Sequence, residues 1–106
     1  MNAWFWVVAA GLCEIAWAVG LKLSDGFRRP YVSAATVAVM ILSFVLLSQG
    51  MRRLPAGTAY AVWTGIGAAG TALVGMAVLG EPRTAARLLS LALILAGIVG
   101  LKLCGD

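Results

Sequence analysis

The sequence predicts an all-α integral membrane protein with four transmembrane helices, forming a single domain over residues 1–106. Hydrophobic residues make up 62% of the chain and charged residues 11%, whereas about 25% charged residues are usual in a soluble domain. The apolar residues also fall into four runs, each long enough to cross the hydrocarbon core as a helix of about 20 residues. Four such helices leave no room for a soluble domain or a nucleotide-binding module.

The four predicted helices cover residues 3–21, 31–51, 54–80 and 85–103. The segments between them carry charged residues, glycine and proline, which are typical of turns at a membrane surface. Arg87 and Lys102 lie near the two ends of the fourth run, so their side chains must extend outward for this helix to span. The first run lacks the basic start of a signal peptide, and Trp4 and Trp6 are typical of a membrane interface instead.

Glu14 is a carboxylate in the middle of the first apolar run. A charge at the bilayer centre costs about 2.5–3.5 kcal/mol, so an ionisable residue there indicates a functional site. Helical spacing places Trp17 one turn after Glu14, and Ala10 and Gly11 one turn before it, on the same face. Small residues alone are explained by helix packing, but Glu14 is not. The pattern predicts a protein that moves protons, a cation or both.

Polar and aromatic residues in the second and third runs are candidates for the surroundings of this carboxylate. Ser43 lies mid-span, where its hydroxyl could donate to a buried carboxylate or bond a carbonyl one turn earlier in its own helix. Tyr60 and Trp63 share a face with Gly67, and aromatic rings near a carboxylate suit a cation site, with ordinary aromatic packing as the alternative. Gly65 and Gly67 permit a bend or a close contact.

The fourth run predicts an association surface. Small residues recur in it every four positions, and Ser90 and Gly97 lie seven positions apart on one face. Four helices enclose little space around one Glu14, so at least a dimer is expected. Five Lys and Arg residues flank one side of the predicted membrane span and three flank the other, so insertion in both orientations and a single shallow preference remain equally open.

The charged residues outside the runs indicate partners of limited kinds. The net charge is +4, but the basic residues are scattered over separate loops, which favours lipid headgroups over nucleic acid as partners. The chain has no histidine, and Cys13 and Cys104 are far apart in sequence, so neither a metal site nor a disulfide framework is predicted. No cofactor is expected, since the glycine pattern at 65–70 lacks the preceding strand that a dinucleotide site requires.

Several long motifs closely resemble the small multidrug resistance transporters, and specifically their guanidinium exporter branch. They lie at 14–18 with 21–22, at 24–27, at 43 with 46–49, and at 54–67. The resemblance implies an antiparallel dual-topology homodimer in the bacterial inner membrane, held together by the fourth helices through Ser90 and Gly97. It also implies that the third helix bends near Gly65 and Gly67. Trp17 marks the guanidinium branch of this family, since the promiscuous drug exporters carry a small or hydroxyl residue there.

The resemblance also implies roles for the candidate residues in a proton-coupled antiporter, which is not an enzyme. Glu14 of each chain would bind protons or guanidinium in turn, Trp17 and Ser43 would orient the carboxylate as donors, and Tyr60 and Trp63 would form the cavity wall. Guanidinium is a planar cation whose parallel N–H groups match a carboxylate. Three alternatives remain: a promiscuous exporter of quaternary ammonium ions, a membrane subunit or scaffold that requires an unlike partner, and a small ion channel.

Overall fold

The computed structural model describes residues 2–104, which form four α-helices joined by short turns. The helices are α1 (Ala3–Leu23), α2 (Pro30–Gly50), α3 (Ala56–Val78) and α4 (Ala85–Leu103). All four are long and apolar enough to cross a membrane. The predicted all-α class with four spans is therefore confirmed.

The ends of the first three helices differ from the predicted bounds by one or two residues, for local reasons. Helix α1 continues to Leu23 because Lys22 in its last turn interacts favourably with the helix dipole. Helix α2 begins at Pro30, whose fixed φ and missing N–H suit the first helical position. Helix α3 begins after Pro55, because Leu54 before the proline avoids the helical conformation and Pro55 itself is extended, with a ψ of 142°. It ends before Gly80, which has a φ of 73°.

Helix α1 lies at the centre of the packing. Its backbone lies close to those of α2 and α3, whereas the backbone of α4 lies close to that of α3 alone among the four described helices. Small residues allow the close approach: a Cβ atom added at Gly11 would lie 2.8 Å from the Cβ of Ile66 on α3. Val7 and Ala10 of α1 are fully buried, as is Val62 of α3. Close packing of this kind, rather than the hydrophobic effect, is what holds helices together within a bilayer.

Helix α4 lies on the outside of this arrangement and contains no buried residue. Its two basic side chains reach partners near the helix ends. Arg87 forms an ion pair of 3.2 Å with Glu81, and the Lys102 ammonium group lies 5.1 Å from the centre of the Trp4 ring. The face of α4 turned away from α3 presents apolar side chains to lipid or to another protein.

Candidate functional site

Glu14 lies between α1 and α3, with its side chain against Gly67. A Cβ atom added at Gly67 would overlap the Glu14 carboxylate, so a residue larger than glycine would displace that group. The Oε1 atom of Glu14 is buried, and no residue within 2–104 offers it a hydrogen bond. The sequence predicts a bend or a close contact at Gly67. In this structure the close contact is with the Glu14 side chain.

A cavity of about 400 Å³ opens beside Glu14. On the α3 side it is lined by Thr64, Gly67 and Thr71, and toward one membrane surface by Lys22 and Glu81. The Thr71 hydroxyl is buried and has no hydrogen-bond partner in the described chain. Sequence reasoning missed Thr71 and Glu81. Their signal was position: Thr71 lies seven residues after Thr64 on one face of α3, and Glu81 follows the end of that helix.

Ser43 forms a buried link between three helices. Its hydroxyl donates to the Ala10 carbonyl of α1 at 2.8 Å and accepts from the Trp63 indole N–H of α3 at 3.0 Å. In this structure the Ser43 proton therefore goes neither to Glu14, as the family resemblance implied, nor to a carbonyl of its own helix. The reason is the small side chain of Ala10, which lets α2 approach the α1 backbone, where a carbonyl has a second lone pair to offer.

A row of aromatic rings joins α3, α2 and α1. The Tyr60 and Trp63 rings are 5.5 Å apart, Phe44 lies 5.8 Å from Trp63, and Trp17 lies 6.2 Å from Phe44. These tilted and edge-on arrangements are the favourable ones for aromatic pairs. Phe44 was missed from the sequence, where its only signal is its position directly after Ser43.

The structure thus brings Ser43, Tyr60 and Trp63 together, and links Trp17 to them through Phe44. Within residues 2–104, none of these side chains hydrogen-bonds to Glu14. The Trp17 indole N–H is instead buried without a partner among the residues described. An unpaired donor and the unpaired acceptor of Glu14 therefore lie three positions apart on α1.

The residues predicted to bend α3 or to join two chains occupy different surroundings. Helix α3 is continuous through Gly65 and Gly67, and Gly65 packs beside Ile98 of α4. Ser90 is exposed and donates to the Ala86 carbonyl at 2.8 Å, and no described atom lies within 4 Å of a Cβ built at Gly97. The bend and the dimer contact remain predictions.

Comparison of the chain with known proteins identifies its family. Residues 2–94 match the family model described as Small Multidrug Resistance protein. A protein of Yersinia pseudotuberculosis serotype I (strain IP32953) named guanidinium exporter is 59% identical over 101 residues, which cover 95% of this chain and 97% of that protein. Proteins of the same name are 57% identical in Citrobacter freundii and 55% identical in Salmonella typhimurium (strain LT2), each over 95% of this chain and 96% of the relative.

The matches extend over nearly the whole chain and agree with its four membrane-spanning helices. The protein is accordingly a multi-pass protein of the bacterial inner membrane, and a transporter rather than an enzyme. It belongs to the small multidrug resistance family.

Proposed function

We propose that this protein exports guanidinium in exchange for protons, and that the two cations compete for Glu14. The observation that carries the proposal is the buried Glu14 oxygen that has no partner within residues 2–104 and belongs to a residue lining a cavity of about 400 Å³. A buried polar group without a partner is costly, and a charged one more so. Either a proton or a bound cation removes that cost. The guanidinium exporters that are 55–59% identical support guanidinium as the cation.

The lining of the cavity suits the chemistry of guanidinium. This ion carries only N–H donors in one plane, and its charge-assisted bonds to a carboxylate are about twice as strong as neutral ones. The hydroxyls of Thr64 and Thr71 line the same cavity and can accept further N–H groups. Aromatic rings, on which a guanidinium plane stacks favourably, are not among the described residues that line this cavity.

Trp17 and Ser43 act differently from each other in this proposal. The unpaired Trp17 N–H is a donor, so the carboxylate of Glu14 can accept from it after a side-chain rearrangement, and guanidinium cannot. Ser43 fixes the Trp63 ring through the bond of 3.0 Å, and thereby the position of Tyr60 beside that ring. Ser43 is accordingly a positioning residue for the row of aromatic rings, and Trp17 a partner of the carboxylate.

The functional unit in this proposal is an antiparallel homodimer of chains with opposite orientations. Helix α4 has no buried residue in one chain, which leaves its face with Ser90 and Gly97 available for a second copy. A second copy also supplies the second Glu14. Exchange between outward-open and inward-open states uses a bend of α3 near Gly65 and Gly67.

The proposal is tested by guanidinium transport into proteoliposomes of the purified chain under an imposed pH gradient. The Glu14→Gln variant is expected to lose proton-coupled transport, because the amide binds neither a proton nor a cation in place of the carboxylate. Asp25→Asn is the matched control, since it removes one carboxylate from a loop that does not line the cavity. Uphill guanidinium transport by Glu14→Gln would contradict the mechanism.

The same vesicles test the alternatives when guanidinium is replaced by tetraethylammonium. We expect proton-coupled exchange with guanidinium and much weaker exchange with the larger ion. Equal exchange of both would indicate a promiscuous exporter, and steady conductance without proton exchange would indicate a channel.

A further inference from the structure

Glu81 is a second carboxylate that lines the cavity of Glu14, at the end toward the membrane surface. Its side chain lies against Gly75, where an added Cβ atom would overlap the carboxylate. Glu14 lies in the same way against Gly67. The two glycines are eight residues apart on α3, which separates them by about 12 Å along the helix axis. Two carboxylates are therefore placed along one face of one helix.

Thr71 lies midway between these two positions. It is four residues from each glycine, it lines the cavity, and its buried hydroxyl has no partner in the part of the chain that is described. A hydroxyl oxygen can accept from the N–H groups of a cation. An acceptor therefore lies between the two carboxylates along the wall of the cavity.

The turn after α3 fixes Glu81 in this position. Its backbone N–H donates to the Gly75 carbonyl at 3.1 Å, across the left-handed residue Gly80. Arg83 in the same turn does not pair with Glu81, because its guanidinium group donates twice to the Met76 carbonyl, at 3.1 and 2.9 Å. The carboxylate is thus held at the cavity mouth by the backbone as well as by its own contacts.

The contact with Arg87 indicates that the Glu81 carboxylate can bind a guanidinium group. Its guanidinium group donates to Glu81 Oε1 at 3.2 Å, and Glu81 Oε2 makes no hydrogen bond within residues 2–104. The two side chains are 39% and 42% exposed, and ion pairs with such exposure are weak. A free guanidinium ion has the same headgroup as Arg87, and it can bind both oxygens in place of one.

We infer that Glu81 is an outer guanidinium-binding site, where an incoming guanidinium ion displaces Arg87 before it passes Thr71 to reach Glu14. This inference rests on the proposed function and deepens it by adding a second binding position for the same substrate. Lys22 also lines the cavity mouth, so the outer carboxylate has to attract the cation against a nearby positive charge.

The test compares the KM for guanidinium of three variants in proteoliposomes. Glu81→Gln removes the outer carboxylate, and we expect KM to rise about 3-fold with little change in maximal rate, as suits an exposed charge pair. Arg87→Gln removes the competing guanidinium group, and we expect KM to fall about 2-fold. Asp25→Asn removes the same charge as Glu81→Gln from the loop after α1, and KM should be unchanged. Asparagine also tolerates the φ of 52° found at this position.

The opposite signs separate a binding role from a structural one. Glu81→Gln and Arg87→Gln break the same ion pair, so a purely structural pair would change KM in the same direction in both variants, and that result would overturn the inference. An effect of Glu81→Gln no larger than that of Asp25→Asn would also overturn it. The effect on KM should shrink at high ionic strength, because exposed charges are screened. Glu14→Gln tests the proposed function separately, since it removes coupled transport at every guanidinium concentration.

Discussion

At the scale of single residues, Glu14 and Gly67 form one unit. The carboxylate is placed by contact with the α3 backbone, because Gly67 has no side chain to keep it away. Its buried oxygen is left without a protein partner among the residues described. In the proposed mechanism, this arrangement leaves the carboxylate free to exchange one cation for another, at the expense of local stability. We therefore expect Gly67 to affect function more than folding.

Replacement of Gly67 by Ala tests this consequence. The new methyl group would overlap the Glu14 carboxylate, which is the far end of a flexible side chain and can rotate away. We therefore expect guanidinium transport to fall at least about 10-fold. The free energy of unfolding should change by less than about 1 kcal/mol, since alanine also favours the helix. Gly57→Ala is the control in the same helix, because the position is open. Full transport by Gly67→Ala would refute the contact as a functional one.

Replacement of Ser43 tests the stability of the helix packing. Ser43→Ala removes the acceptor of the Trp63 N–H and the donor to Ala10. Hydrogen bonds between membrane helices contribute about 0.6–1.7 kcal/mol, so we expect a loss of that size in unfolding experiments. Ser48→Ala is the control, because that hydroxyl is exposed and bonds Val45 within its own helix. Equal losses in both variants would show that the link between helices has no special weight.

Residue identity explains how much of this site was predictable. Glu14 could be found from sequence because a carboxylate within an apolar run is costly wherever the helix packs. The hydrogen-bond partner of Ser43 could not be found from the sequence, because a serine hydroxyl can bond to several different groups. Which one it bonds depends on the distance between α1 and α2. The absence of a described partner for the Trp17 indole N–H was likewise not predictable, because it also depends on how the helices pack. The sequence places Glu81 in the turn between the third and fourth predicted helices, and nothing in it shows that the side chain folds back over Gly75.

At the scale of elements, the four helices were predictable and their exact ends less so. Length and apolar composition determine a span, and these are properties of the sequence alone. The ends depend on single caps, such as Pro55 before α3 and Gly80 after it. Which helices contact each other depends on small residues that permit close approach. Small residues occur in all four helices, so the sequence alone does not show which pairs of helices pack together.

The contact between α1 and α3 depends on Gly11. A Cβ atom there would lie 2.8 Å from both Cβ and Cγ2 of Ile66, and the Cβ atom cannot move away without a shift of the α3 backbone. We expect Gly11→Ala to push the helices apart and to destabilise the protein by about 1–3 kcal/mol, measured by unfolding in detergent. Gly57→Ala again serves as the control and should not destabilise. Unchanged stability of Gly11→Ala would mean that the packing of α1 on α3 is looser than the structure has it.

At the scale of the whole molecule, the fold of one chain leaves α4 on the outside. Leu89, Leu93 and Val99 on this helix are 57–66% exposed. In a bilayer such a helix is stable against lipid, so exposure alone does not require a partner. The proposed antiparallel dimer therefore depends on orientation, which can be measured directly.

Cys104 is a natural reporter of orientation, since it is exposed at the end of α4. In a Cys13→Ala background, a membrane-impermeant maleimide applied from outside should label about half of the molecules if both orientations occur, as the proposed antiparallel dimer requires. The balance of five against three basic residues is shallow enough to permit this. Arg52→Gln with Arg53→Gln changes that balance to five against one, because both arginines lie on the membrane side of Cys104. This double variant should insert with Cys104 outside, and it should lose transport because antiparallel pairs can no longer form. Labelling of the parent protein from one side only, or full transport by the oriented variant, would contradict the antiparallel dimer.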